Sequence, residues 1–137
     1  MFNWKYFGKF HALLYKASGG RYGDRMGWIN VALIDTVGRK SGKKRTVPIA
    51  CYPYRDSVVV SASNSGQERH PAWYLNMQAN PQVMVQLGKE RFSAIAEEVA
   101  EEEREELWKT IVEINKHQGE YLEKVSRRIP LMWFRRV

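Results

Sequence analysis

The sequence holds little of what small enzymes use for covalent or metal chemistry. Cys51 is the only cysteine among 137 residues, so no internal disulfide can form and no zinc-binding spacing exists. The three histidines His11, His70 and His117 are scattered, without the paired spacing of metalloprotease helices. No serine lies in the G-x-S-x-G turn of hydrolases. These absences predict no metal site, and an enzyme so equipped needs a cofactor to carry its reaction.

The sequence also lacks long apolar runs, and it has fewer acidic than basic residues. No run approaches the ~20 residues that span a bilayer, and the first residues lack the apolar stretch of a signal peptide. With the single cysteine, this predicts a cytoplasmic protein. Lys and Arg number 22 against 15 Asp and Glu, a net charge of +7. This excess favours anionic partners: phosphates, nucleic acid or an acidic membrane surface.

Hydrophobic periodicity predicts a single α+β domain, in which strands outnumber helices. Helices are predicted at 2–17, 72–79 and 101–117. Strands are predicted at 31–36, 46–54, 57–63, 82–87, 90–99 and 130–134, with a loop at 21–27. The first three strands form an antiparallel meander in this prediction, and Pro48 and Pro53 indicate a sheet edge or bulge. The sheet is expected to curl into a small barrel.

The predicted N-terminal helix, residues 2–17, is amphipathic, and we assign residues 1–20 to it and 21–137 to the barrel. At about 100° per residue its apolar face consists of Tyr6, Phe7, Phe10, Leu13, Leu14 and Ala17, and its cationic face of Lys5, Lys9 and Lys16. Two interpretations stay open. The apolar face packs on the barrel, or the helix lies on an anionic membrane as a peripheral contact.

The first motif is a basic loop between two predicted strands, residues 38–45. It carries five positive charges and no acid: Arg39, Lys40, Lys43, Lys44 and Arg45. Gly38 and Gly42 let the backbone turn, and the cations offer donors to phosphate or carboxylate. Three residues separate the glycines and no Ser or Thr follows Lys43, so the loop is not a P-loop. The alternative is a solvated hairpin tip.

The second motif is a run of small residues, 61–66, that leads into the predicted helix at 72–79. Small side chains at a strand end permit close approach of a ring or an anion to the backbone. Trp73 and Tyr74 could wall a planar ligand, or could simply be buried in the core. Cys51 lies inside a predicted strand, where a buried hydrophobic role is favoured over a nucleophilic one.

Together these segments resemble a known family. The resemblance rests on D-T-V-G-R-K-S-G at 35–42, Arg45, Pro48, S-A-S at 61–63, P-A-W-Y-L-N at 71–76 and Asn80-Pro81. This order of motifs is similar to that of the deazaflavin-dependent nitroreductases, also called F-420-dependent quinone reductases. The resemblance implies a split β-barrel like those of flavin reductases and pyridoxamine phosphate oxidases. It also implies coenzyme F-420, a flavin analogue with a phosphate and an oligoglutamate tail.

The same resemblance implies the site residues. By it, the anionic tail is held by Arg39, Lys40, Ser41, Gly42 and Arg45. The rest of the cofactor site consists of Pro48, Ser63, Asn64, Ser65, Pro71, Trp73 and Asn76. We predict that Ser63, and second Tyr74, donate a hydrogen bond where negative charge develops during hydride transfer. Tyr121 is the nearest candidate for the tyrosines that shape the acceptor pocket of the family.

The predicted activity is hydride transfer from reduced coenzyme F-420 to a small apolar acceptor, such as a quinone or a nitro compound. An FMN-dependent reductase or oxidase on the same fold is the alternative enzyme. A basic nucleic-acid-binding module is a different class, which the lack of an RNP-type or helix-turn-helix motif disfavours. A third possibility is a cofactor carrier without turnover. Oligomeric state is not predicted.

Overall fold

The computed structural model describes residues 12, 15, 16, 25, 26 and 29–137. Its strands are β1 (Arg25–Met26), β2 (Ile29–Val37), β3 (Lys44–Ala50), β4 (Tyr52–Tyr54), β5 (Ser57–Ser61), β6 (Gln82–Leu87), β7 (Glu90–Glu98) and β8 (Leu131–Arg136). Its complete helices are α1 (Ala72–Ala79), α2 (Glu101–Ile114) and α3 (Lys116–Lys124). The predicted α+β class is therefore confirmed. None of the described helices is long and apolar enough to cross a membrane.

The sheet curls into a split barrel, which confirms the predicted fold. The strands pair antiparallel in the order β1-β2-β6-β7-β8-β5-β4, and β3 adds to β2. The chain then leaves β3 and enters β4 at the far end of that order, passing through Cys51 alone. The backbone N–H of Cys51 donates to the carbonyl oxygen of Asn30 at 2.9 Å, which fixes this crossing.

This crossing corrects the predicted strand 46–54 and the predicted meander. The strand is two strands: β3 pairs with β2, with Pro48 opposite Leu33, and β4 pairs with β5, with Pro53 opposite Val58. A proline cannot donate to a ladder, so each proline is tolerated on a strand with one paired neighbour among the described strands. The predicted edge character was right, but the change of partner between the prolines was missed.

Alternation along the strands separates two layers of core. Ala32 and Ile34 of β2 point into the barrel with Val60, Val85 and Phe134. The opposite face of β5 and β8 packs against α2, where Trp108 and Ile111 are buried. Cys51 is 3% exposed inside the barrel core, and burial raises the pKa of its thiol to about 12. The predicted hydrophobic role of Cys51 is confirmed.

The N-terminal segment is tied to the sheet by Tyr15, a residue that the predicted apolar face omitted. Ala12, Tyr15 and Lys16 are helical, and the rest of the predicted helix 2–17 lies outside the described residues. The hydroxyl of Tyr15 lies 3.0 Å from the carbonyl oxygens of Val31 and Gln86 and accepts from the N–H of Gly88 at 2.8 Å. Its ring is fully buried beside β2. The boundary proposed at residue 20 also falls outside the described residues.

Two further corrections concern the helix predicted at 101–117 and the loop predicted at 21–27, while the other predicted strands end within one or two residues of the observed bounds. The helix predicted at 101–117 ends at Ile114, and α3 begins after Asn115. The side-chain oxygen of Asn115 accepts from the N–H of His117 at 3.2 Å, and its amide donates to the Tyr52 hydroxyl at 3.0 Å. This buried cap stops one helix and starts the next. The predicted loop 21–27 also contains the short strand β1.

Candidate functional site

The two sequence motifs meet at one cavity of about 490 Å³. It lies between the tip of the β2–β3 hairpin and the start of α1. Its lining consists of Thr36, Gly38, Arg39, Lys40, Ser41, Arg45, Val47, Asn64, Pro71, Ala72, Trp73 and Asn76. A neighbouring cavity of about 570 Å³ shares four of these residues: Arg39, Asn64, Pro71 and Ala72. Because the two cavities share these lining residues, they adjoin, and an elongated ligand has room to extend from one into the other.

The hairpin loop is shaped by its two glycines and one serine. The N–H of Gly38 donates to Lys43 at 2.8 Å, and the N–H of Gly42 donates back to Gly38 at 2.8 Å. Gly42 has a φ of +70°, and a Cβ on Gly38 would lie 2.7 Å from the Ser41 hydroxyl. That hydroxyl accepts from the N–H of Lys43 at 3.2 Å and lies 3.4 Å from the Arg45 guanidinium. The loop is therefore built around Ser41, beside the cavity.

Strand alternation divides the basic residues between two faces of β3. Arg45 faces the cavity. Lys44 points to the other face, where its ammonium lies 3.9 Å from the carboxylate of Asp35. Arg39 and Lys40 join Arg45 in the cavity wall. The lining contains no acid, and none of these three cations forms a salt bridge within the described part of the chain. An anion would meet three cations there.

Asn76 orients Arg39 without neutralising it. The side-chain oxygen of Asn76 accepts from the Arg39 backbone N–H at 3.1 Å and from its guanidinium at 3.0 Å. Asn76 is 6% exposed, so the amide is fixed by its surroundings. An amide acceptor, unlike a carboxylate, leaves the full charge of the guanidinium available to a ligand.

The start of α1 adds a further positive potential. Pro71, the residue before the helix, gives no side-chain cap, and the first turn contains no acid. The first N–H groups of a helix have no partner inside it, so the positive end of the helix dipole is uncompensated here. Pro71, Ala72 and Trp73 line the cavity at this point, and the indole of Trp73 adds an apolar wall.

A further part of the cavity wall belongs to a turn with unusual backbone angles. Asn64, Ser65 and Gly66 have φ values of 50°, 55° and 79°. Positive φ is unfavourable for a residue with a side chain and costs ~1–3 kcal/mol, a strain that concentrates at ligand sites. A Cβ on Gly66 would lie 3.0 Å from the ring of Tyr121, so α3 packs closely on this turn. Asn64 lines the cavity.

Eight of the residues predicted for the site line this cavity. They are Arg39, Lys40, Ser41, Arg45, Asn64, Pro71, Trp73 and Asn76. Gly42 lies in the hairpin turn and Ser65 in the strained turn, and neither lines the cavity. Pro48 sits on the face of β3 opposite Arg45. The lining also contains Gly38, Val47, Ala72 and Thr36, which the predicted set of site residues omitted. Gly38 and Ala72 belong to the quoted motifs, Val47 lies two residues after Arg45 on the same strand, and Thr36 lies directly opposite Arg45 in the β2–β3 hairpin.

Neither of the two predicted hydrogen-bond donors lines the cavity. Ser63 is 5% exposed, and its carbonyl accepts from the Arg127 guanidinium at 3.0 Å. The ring of Tyr74 packs on His70 with centroids 4.8 Å apart, and burial raises the pKa of its hydroxyl. Burial and then the charge of Arg127 lower the pKa of His70. The catalytic roles of Ser63 and Tyr74 stay predictions.

Comparison with known proteins identifies the family. The family described as F420H(2)-dependent quinone reductase matches residues 7–134. The chain belongs to this family. A member from Mycobacterium tuberculosis, F420H(2)-dependent quinone reductase Rv1261c, is 31% identical over 128 residues, covering 90% of this chain and 86% of its own. The predicted resemblance and the oxidoreductase class are confirmed, and the predicted cofactor is the one named in the family description.

Two similar solved structures support the assignment of this chain to the reductase family. One, described as an F420-H2 dependent reductase, is 40% identical and has a TM-score of 0.69, covering 76% of this chain and 92% of its own. The other, described as a domain-swapped dimer, is 35% identical and has a TM-score of 0.73, covering 92% and 95%. These likenesses agree with the split barrel read from the strand order.

The residues of the cavity fit a phosphorylated, polycarboxylate cofactor. Arg39, Lys40 and Arg45 form no ion pair among the described residues, and Gly38 leaves no space for a side chain beside Ser41. The cations and the uncompensated helix start favour the anionic part. Trp73 and Val47 give the apolar part a surface to pack on.

Proposed function

We propose that this protein is a quinone reductase that uses reduced coenzyme F-420. The observation that carries the proposal is the cavity in which three cations, unpaired by any acid among the described residues, meet the apolar side chains of Val47 and Trp73. A cofactor with an anionic tail and a planar ring needs both surfaces. Membership of a family described as F420H(2)-dependent quinone reductase supports the proposal.

Each part of the wall has its own task in this proposal. Arg39, Lys40 and Arg45 bind the phosphate and carboxylates by charge-assisted hydrogen bonds, and Ser41 keeps the loop in shape. The bound coenzyme supplies the hydride. Trp73 and Val47 orient the ring and keep water away from it, so the protein contributes mainly position and a dry surface.

The proposed acceptor is a small apolar quinone, and a nitro compound is a second acceptor to test. A quinone that takes up a hydride and a proton becomes a hydroquinone, and negative charge develops on its oxygen during the transfer. Ser63 and Tyr74 are the proposed donors to that oxygen. Replacing Ser63 by Ala should slow turnover ~10-fold or more with little change in cofactor affinity.

We further propose a cytoplasmic protein with a peripheral membrane contact through residues 2–17. The sequence places aromatic and lysine residues together in that segment. Lys16 lies close enough to Lys44 for the two ammonium groups to interact, which lowers the pKa of Lys16. Clustered cations at this end of the sheet are suited to anionic headgroups, and quinones dissolve in membranes.

The deciding experiment measures binding and turnover with matched cofactors. Oxidised coenzyme F-420 and FMN are titrated into the purified protein, and each reduced form is then offered with menadione as acceptor. We expect tight binding and turnover with the deazaflavin alone. Turnover with FMN alone would reject the deazaflavin assignment, and deazaflavin binding without turnover would indicate a carrier. Replacing menadione by a nitro compound tests the second acceptor.

A further inference from the structure

A single guanidinium, that of Arg127, binds the segment 62–70 at several points. Its Nη2 donates to the carbonyl oxygens of Ala62 at 3.2 Å and Ser63 at 3.0 Å. Its Nε donates to the carbonyl of Gln67 at 3.1 Å, and its Nη1 lies 3.2 Å from Nδ1 of His70. Arg127 lies on the connection between α3 and β8, so it joins a distant part of the chain to this segment.

The bonds of Arg127 bracket the strained turn beside the cavity. Ala62 and Ser63 precede the turn 64–66, and Gln67 follows it directly. Left-handed residues with side chains persist where their surroundings determine the backbone. The four acceptors are neutral, and their positions on both sides of the turn match the planar fork of donors that only an arginine offers.

A second contact holds the same segment. The carboxylate of Glu68 accepts from the N–H of Ser126 at 2.7 Å and from its hydroxyl at 2.6 Å. The segment therefore binds two successive residues, Ser126 and Arg127, of one connection. Beyond the turn, the segment continues into Pro71 and Ala72, which line the cavity with Asn64. A shift of the segment would move the cavity wall and the start of α1 together.

We propose that Arg127 is a positioning residue, which holds the segment 62–70 in the shape that brings Asn64 and the start of α1 to the cofactor cavity. The proposal rests on the proposed function for its effect on catalysis. Arg127 is not part of the cavity lining, and its hydrogen bonds to the segment end on Ala62, Ser63, Gln67 and His70, which are not part of it either. It therefore acts through the segment that it binds.

The test compares Arg127→Ala and Arg127→Lys with Arg135→Ala, which removes an exposed arginine of β8 that pairs with Glu97 of β7. We expect Arg127→Ala to weaken deazaflavin binding ~10-fold and to lower kcat ~10-fold, with KM for menadione nearly unchanged. Arg127→Lys should recover little, because an ammonium cannot reach acceptors on both sides of the turn. Millimolar guanidinium, but not methylammonium, should restore part of the loss in Arg127→Ala. Arg135→Ala should match the parent.

Amide hydrogen exchange separates this inference from the proposed function. The N–H groups of Gly66 and Gln67 close the turn by bonds to Ser63 and Asn64. Arg127→Ala should speed their exchange ~10-fold or more, while the N–H of Ala96, bonded to Pro81, stays protected. A parent protein that binds no deazaflavin would reject the proposed function and leave this measurement intact. Parent-like exchange, affinity and kcat in Arg127→Ala would overturn the inference. So would a loss that follows only the unfolded fraction and is not rescued by guanidinium.

Discussion

The side-chain oxygen of Asn76 accepts two hydrogen bonds from Arg39, one from its backbone and one from its guanidinium. The acceptor must be neutral if the charge of Arg39 is to reach a ligand. Asn76→Asp keeps the size of the side chain but pairs the guanidinium with a carboxylate. We expect it to weaken cofactor binding ~10-fold or more. Fluorescence titration measures the dissociation constant. Asn80→Asp, at the other end of α1, is the matched control and should bind normally.

The two faces of β3 give a second prediction. Arg45→Ala and Lys40→Ala each remove a cation from the cavity wall and should cost ~1–3 kcal/mol of cofactor binding. Lys44→Ala removes an equal charge from the face that bears Asp35, so its effect should be small. Added salt should weaken binding in the parent. Equal losses in all three variants would indicate a general effect of net charge instead of a site.

Gly38 gives a third prediction, because a Cβ there would lie 2.7 Å from the hydroxyl oxygen of Ser41. Gly38→Ala should displace Ser41 and weaken cofactor binding, and adding Ser41→Ala should relieve the clash but not restore the loop. Gly42→Ala meets no atom within 4 Å, yet its φ is +70°. It should therefore lower the free energy of unfolding by ~1 kcal/mol. Denaturant unfolding and cofactor titration separate the two effects.

His70 gives a prediction about pH. Its pKa is lowered in the folded protein by burial and by Arg127. As the pH falls through the ordinary histidine value of 6.5, the unfolded chain binds a proton before the folded one does. The free energy of unfolding should therefore decrease from that pH down to the lowered value. His70→Gln should remove this contribution to the pH dependence of the free energy of unfolding. His117→Gln, at an exposed position, should leave that contribution unchanged. Denaturant unfolding at several pH values measures both.

Membrane contact can be tested without disturbing Tyr15. A deletion of residues 1–18 would remove a side chain that binds Val31, Gln86 and Gly88. Charge reversal by Lys5→Glu and Lys9→Glu leaves that side chain in place. If the segment lies on an anionic membrane, the double variant should lose co-sedimentation with phosphatidylserine vesicles that the parent shows. Equal sedimentation of both proteins would contradict the proposed contact.

The sequence was most informative where local chemistry decides the structure. The basic loop, the helix at 72–79 and the strand at 82–87 were predicted because glycine, proline and alternation act over a few residues. The partner change at Cys51 was missed because pairing depends on distant strands. The cap at Asn115 was missed because the cap binds Tyr52 across the fold.

The candidate site shows the same contrast between local features, which were predicted, and contacts between distant residues, which were not. Family resemblance placed eight residues at the cavity, but the predicted strand began at residue 46 and left Lys44 and Arg45 together in the loop. β3 begins at Lys44, so alternation along the strand puts these two side chains on opposite faces. Arg127 carried no signal, because its acceptors in the segment are backbone carbonyls, which every residue has, apart from Nδ1 of His70. A hydrogen bond to a main-chain atom does not require a particular residue type at the partner position, so the sequence does not reveal it.

The single-residue crossing at Cys51 keeps the end of β3 next to the start of β4. A residue inserted there would loosen this junction, or would be taken up as a one-residue shift of β3 against β2 or of β4 against β5, which reverses the side chains that face inward. The turn at Arg55 and Asp56 lies on the surface, where added residues extend into solvent. Among related chains, we therefore expect the residue changes that alter ligand preference to lie in the hairpin tip and in the 62–70 segment. We expect the strands of the barrel to keep their lengths.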